Sequence, residues 1–294
     1  TDNRNDFIWA GLALGIGLHG YTPMRIVPVV VVIGVAIYLL HPQSRGARTQ
    51  TIVGLAIITL VSLIIFLPLG RYALENPEMF AYRSFTRLGS LERPLPGPAL
   101  LIFFSNLWNA MTMFFWSDGN VWVHSITGRP ALGVISAALL FSGMVILLVR
   151  YLRKRNWTDL FMLLSIPLLM MPSILSLAFP DENPSLNRTS AALVPVFVIV
   201  GIALDTFLKG FRKALPGRNG RWAAWITALV LITMSVYQNY DLVFNQYATS
   251  FREGAWNTSE MGHVIRAYAD SVGNEDTAWV VAYPYWVDTR LVGI

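Results

Sequence analysis

The sequence predicts a mostly α, polytopic helical membrane protein, with about seven transmembrane helices plus interfacial helices, followed by the start of an extracytoplasmic α/β domain. Three observations predict it. Apolar residues make up 54% of the chain and charged residues 13%, against roughly 25% charged in an ordinary soluble domain. Several runs approach the ~20 residues that cross a hydrocarbon core. The basic residues then fall where such spans would put them. Spans at about 7–21, 26–40, 51–69, 131–150, 157–178, 190–208 and 222–239 leave segments 1–6, 41–50, 150–156 and 205–221 on one side. With Asp159 at the start of the 157–178 span, that side holds twelve Lys/Arg against four acids, and the other ten Arg against thirteen acids. Lys154, Lys209 and Lys213, the three lysines, all lie on the first side, which is therefore cytoplasmic. The net charge of +5 thus reports topology and not a nucleic-acid partner.

The chain carries no cysteine, which excludes disulfide, thiol and cysteine-metal chemistry. It opens TDNRND, without Met or a signal-type segment, and ends directly after a patterned stretch. It is expected to be an internal piece of a longer protein.

Taken in order, the first span carries Gly11 and Gly15, a small-xxx-small face on which another helix can pack closely. Tyr21-Thr22-Pro23-Met24-Arg25 breaks it at the outer surface, where Arg25 either snorkels to headgroups or binds a ligand. Residues 26–40 are almost purely apolar, and 51–69 should stop at Pro68 and Gly70. Residues 70–130 form a long outside excursion. Its stretch RYALENPEMFAYRSFTRLG mixes aromatic and basic side chains, as suits a helix in the headgroup layer. LLIFFSNLWNAMTMFFW, interrupted by Asn106 and Asn109, must keep both flanks outside and reads as an interfacial or re-entrant helix. SDGNVWVHSITGRPAL, with Asp118 in a turn and His124 six residues on, closes the excursion. Those two residues alone make no metal motif, since zinc needs three or four ligands.

The span at 157–178 contains Pro167 and Pro172 and should be kinked or broken, as helices lining polar sites in membranes often are. After it comes PDENPSLNRTSAALVP, 180–195, a polar hairpin between two apolar runs. Charges at a membrane boundary are costly unless solvated, paired or used. Here they are either an ordinary capped turn or a binding site. Past Tyr240 the composition turns polar. A helix at 258–272, a turn at NED and a strand in AWVVAYPYW would open an α/β domain over 241–294, leaving 1–240 as the membrane domain.

Four outside elements need one explanation: the Gly-rich helix into YTPMR, the ENPEMF helix, SDGNVWVHSITGRPAL and PDENPSLNRTSAALVP. With the terminal domain, and from about Phe7 to Trp286, the ordered set resembles the later part of GT-C-type membrane glycosyltransferases. These are relatives of protein O-mannosyltransferases and lipid A aminoarabinose transferase, and the particular branch looks like the rhizobial galacturonosyltransferase-like group. The resemblance implies a hexosyl or pentosyl transferase of the bacterial inner (cell) membrane, with loop 70–130 and the C-terminal domain outside. It would take a sugar from a polyprenyl-phosphate donor and pass it to a lipid, polysaccharide or protein acceptor of the cell envelope. The family's general base, usually an Asp pair in the first outside loop, has no counterpart here and is expected upstream. This chain would supply the phosphate end: Arg188 first, beside the helix beginning near Thr189, then Arg25. Glu182, Asn183 and Asn187 would orient sugar hydroxyls or hold Arg188, with Tyr21, Asp118 and His124 completing the substrate-binding set. The motifs identify no cofactor and leave room for a divalent metal. Two other classes compete. A transporter or flippase of a lipid-linked solute predicts charges in mid-span, and a non-catalytic scaffold predicts a featureless 180–195 hairpin.

Overall fold

A computed structural model describes residues 4–215, 217–254 and 258–280. These are helical, with no strand among the described residues. In chain order the helices are α1 (Arg4–Leu18), α2 (Val27–Leu40), α3 (Arg48–Glu75), α4 (Pro77–Leu88), α5 (Ala99–Thr112), α6 (Val134–Lys154) and α7 (Trp157–Leu169). Then follow α8 (Met171–Ile174), α9 (Leu186–Thr189), α10 (Leu193–Ala214), α11 (Arg218–Tyr240), α12 (Ala248–Gly254) and α13 (Thr258–Ser271). Six helical stretches are long and apolar enough to cross a membrane: Thr22–Leu40, Arg48–Glu75, Val134–Lys154, Trp157–Ile174, Leu186–Ala214 and Arg218–Glu253. The first of the seven expected spans is α1, whose 15 residues reach only about 22 Å, short of a ~30 Å hydrocarbon core.

The chain forms two compact units, Thr1–Tyr237 and Gln238–Ile294. In the first, α1 packs along α3 through its glycine face. A Cβ on Gly11 would stand 2.8 Å from Val61 Cβ, and one on Gly15 2.8 Å from Ile65 Cβ, so only glycine lets the backbones come this close. The Ser62 hydroxyl donates to Gly11 O at 3.0 Å. Phe7 lies over Gly54 and His19 Nε2 bonds Ile65 O at 2.9 Å, so α1 and α3 run in the same direction. Helices α2 and α7 run oppositely: Tyr38 meets Trp157, ring centroids 5.0 Å apart, and Gly34 meets Phe161 one turn on.

The apolar core joins α6, α7 and α10 through Leu140, Leu147, Ile166, Val196 and Ile199, with Met170 just past α7, all essentially buried. At the far end of α7 from the hairpin, buried Asp159 pairs with Arg150 of α6, whose Nε donates to Oδ2 at 2.9 Å. Helix α3 does not stop at Pro68 but runs on to Glu75 with the proline inside it. One lost backbone bond is cheaper in an apolar layer than unwinding a turn whose groups would then have no partner. The kink expected from Pro167 and Pro172 is a break at Met170, between α7 and α8.

In the second unit, α12 and α13 are followed by a turn at Glu275–Thr277. The strand expected over 278–286 lies mostly outside the described residues, and 278–280 are irregular.

Candidate functional site

The break after α7 turns its last backbone groups and serines away from the helix, and the 180–195 hairpin folds back onto them. Ser173 Oγ accepts from Asn183 Nδ2 and from the Ser185 amide, both at 3.0 Å. Asn106, on the buried face of α5, donates through Nδ2 to Ile174 O at 2.9 Å. The Ala178 amide donates to Arg87 O at 3.0 Å, joining the end of α4 to the same turn. Helices α4 and α5, distant in sequence, are thus pinned to the stretch 173–185.

Glu182 is the hub of the charges brought together there. Its Oε1 accepts from Arg87 Nη1 at 2.9 Å and its Oε2 pairs with Arg188. The three side chains are 21%, 31% and 17% exposed for Arg87, Glu182 and Arg188, so these pairs are screened less than surface pairs. Arg188 Nη1 also donates to Ser176 Oγ at 3.1 Å. The Arg87 guanidinium lies 4.0 Å from the Phe179 ring centroid. Arg93 stands 5.7 Å from that ring and pairs with Asp181 at 3.1 Å. Two guanidiniums held on one carboxylate, beside a neutral Arg93–Asp181 pair, leave one net positive charge at the mouth of the hairpin.

The loop 117–130 covers this cluster. Gly119, at φ +93°, sits where a Cβ would lie 2.6 Å from Pro184 O, so both conformation and space demand glycine. The loop is closed by Asp118 N donating to Arg129 O at 2.7 Å and Gly128 N to Gly119 O at 3.1 Å. Asp118 is 4% exposed. Neither of its carboxylate oxygens has a partner at hydrogen-bonding geometry, although the Ser125 hydroxyl and the Arg129 backbone approach it. Burial raises its pKa, with Ser125 and Arg129 opposing. His124 Nδ1 is likewise buried without a partner. Burial first, and then the charge of Arg188, lower the His124 pKa against an opposing pull from Glu182.

Of the residues singled out in the sequence, Arg188, Glu182 and His124 thus belong to one electrostatic cluster, and Asp118 lies in the loop over it. Asn183 and Asn187 brace the hairpin. Asn183 bonds Ser173, and Asn187 Oδ1 accepts from Ser185 Oγ at 2.6 Å. Arg25 is held elsewhere: its Nη1 donates to Phe80 O at 3.3 Å and its guanidinium lies 4.0 Å from the Phe80 ring. Tyr21 precedes the turn carrying Arg25 and is half exposed. Sequence reasoning missed Arg87, Arg93, Ser173, Ser176 and Phe179. The paired prolines marked the break that presents the serines, whereas nothing local marked Arg87, which meets Glu182 across 95 positions. Among the described residues no three His, Asp or Glu side chains converge as metal ligands.

No family model, curated protein or solved structure matches the chain.

Proposed function

We propose that the chain is part of an integral-membrane glycosyltransferase of the GT-C type. It passes a hexosyl or pentosyl group from a polyprenyl-phosphate donor to an acceptor hydroxyl on the extracytoplasmic face of a bacterial inner membrane. The observation that carries this reading is the Glu182-bridged pair Arg87–Arg188 at the broken end of α7. When the bond between sugar and phosphate oxygen breaks, its electron pair goes to the phosphate. Positioned guanidiniums stabilise that developing charge, bidentately where geometry allows. Glu182 holds the two arginines at a common point before the donor arrives, and the surplus positive charge favours a dianionic product. Phe179, flanked by Arg87 and Arg93, offers an apolar face beside them. The acceptor proton goes to a base that the described residues do not assign.

The finer topology belongs to the same reading. Helix α1 is a seventh, short element inserted beside α3, α5 is re-entrant, and the terminal unit begins an extracytoplasmic α/β domain. The opposed directions of α2 and α7 favour a re-entrant α5. With α3, α6 and α7 as the crossings after α2, α7 opposes α2; a further crossing by α5 would make them parallel.

The test is sugar transfer by the full-length protein in proteoliposomes, with a polyprenyl-phosphate sugar as donor. Arg188→Ala should lower kcat/KM by about a hundredfold or more, with membrane insertion intact. Undiminished turnover in Arg188→Ala and Arg87→Ala alike would remove the phosphate role and, with it, the argument for a transferase.

A further inference from the structure

The end of α7 away from the hairpin carries a second charged surface. We propose that the turns at 41–48 and 153–156 together bind the headgroup phosphate of an anionic phospholipid. This rests on the long helices crossing a bilayer and not on sugar transfer. Gln43 Nε2 donates to Arg155 O at 3.1 Å, which joins the α2–α3 turn to the α6–α7 turn. The joined surface presents Arg45, Arg48, Arg153, Lys154 and Arg155, all exposed.

Among the described residues none of the five cations forms an ion pair with an acid, and the buried Asp159 at the start of α7 is committed to Arg150. Its depth also fits a headgroup. Tyr38, Tyr151 and Trp157 gather directly behind it, Tyr38 on Trp157 and Tyr151 beside His41 at 5.9 Å, and such aromatics collect at the level of lipid headgroups. Part of the surface is fixed in advance: Arg48 donates to Ser44 Oγ and to Leu39 O, each at 3.2 Å.

Arg155 points most directly to a ligand. It caps α6 at φ +50°, ψ 41°, the left-handed conformation where helices usually place glycine or asparagine because a Cβ is crowded there. An arginine at such a position runs against local preference, which a use for the side chain explains. Its guanidinium lies 5.3 Å from the Tyr151 ring centroid, turned toward the aromatic layer.

The experiment measures thermal unfolding of the full chain in nanodiscs of phosphatidylcholine containing rising fractions of phosphatidylglycerol. The wild type should gain stability with phosphatidylglycerol. A triple variant, R153Q/K154Q/R155G, should lose at least half of that gain. Arg155→Gly alone should be at least as stable as wild type in pure phosphatidylcholine, because it relieves the turn, and still gain less from phosphatidylglycerol. That opposite pair of effects separates a binding role from a structural one. Equal gains in wild type and variants, or no gain in the wild type, would overturn the site. So would inorganic phosphate reproducing the gain in pure phosphatidylcholine, which would make it a site for soluble anions.

Discussion

Glu182 decides what the arginines of the hairpin can do. Removing its charge leaves Arg87 and Arg188 facing one another, partly buried, with no carboxylate between them. Glu182→Gln should therefore lower stability by about 1–3 kcal/mol, measured as a shift in thermal unfolding in detergent. An unchanged midpoint would mean that solvent already screens the cluster. His124 gives the same cluster a dependence on pH. Its folded pKa is lowered, by burial and then by Arg188, from an ordinary value of 6.5. Above 6.5 it is neutral in both states and carries no penalty. As pH falls through that value the unfolded chain takes up the proton first, so stability declines until the lower, folded pKa is reached. His124→Asn should flatten this part of the decline in midpoint between about pH 7 and 5; parallel curves for variant and wild type would refute it. Arg188 was legible as a candidate because its charge sits in a short polar hairpin between apolar runs. Arg87 was not. Its local setting, the end of an amphipathic helix, is the same whether it meets water, headgroups or Glu182, and only the folded chain decides among them.

Among the elements, the glycine face of α1 carries the clearest packing argument. A methyl group on Gly11 would meet Val61 Cβ at 2.8 Å and Ile58 O at 2.9 Å, neither of which can swing aside. A methyl group on Gly17 would meet nothing. Gly11→Ala should cost about 1–3 kcal/mol, while Gly17→Ala should be neutral or stabilise by up to about 1 kcal/mol through helix propensity. Matched thermal midpoints for the two would mean that α1 is not held against α3 in solution. The spacing of Gly11 and Gly15 announced a contact but not its partner, because small-xxx-small describes one surface only. Span limits were less legible. Pro68 reads as a stop in sequence, yet in an apolar environment continuing the helix satisfies more backbone groups than ending it, and α3 runs past it. The helix holding the two prolines after Leu163 does break, because there the freed carbonyls of Ile174 and Ser176 find Asn106 as a partner, while Asn183 and Arg188 bond the serine hydroxyls beside them. The difference lies in what surrounds each proline, which no local pattern records.

For the first unit as a whole, the number of times residues 48–154 cross the bilayer fixes which side every later loop faces. Helix α5 decides that number. Its 14 residues cover about 21 Å, too short for a relaxed crossing, yet Leu100, Leu101, Phe104 and Trp108 on its outer side are exposed as lipid-facing residues would be. Its opposite side buries Asn106 against the 174–176 turn, a demand that a helix wholly in lipid would not meet. The antiparallel pairing of α2 with α7 adds a constraint of parity: α3, α6 and α7 as crossings satisfy it, and a fourth breaks it. The absence of cysteine makes this directly measurable. Single substitutions Glu92→Cys, before α5, and Asn120→Cys, after it, are both at exposed positions, as is Arg153→Cys beyond α6. In sealed right-side-out vesicles a membrane-impermeant maleimide should label the first two and spare the third. Labelling of Glu92→Cys and Arg153→Cys with protection of Asn120→Cys would mean that α5 crosses. The loop carrying His124 would then face away from Glu92, and the hairpin site could not lie on the extracytoplasmic side together with the α4–α5 connection.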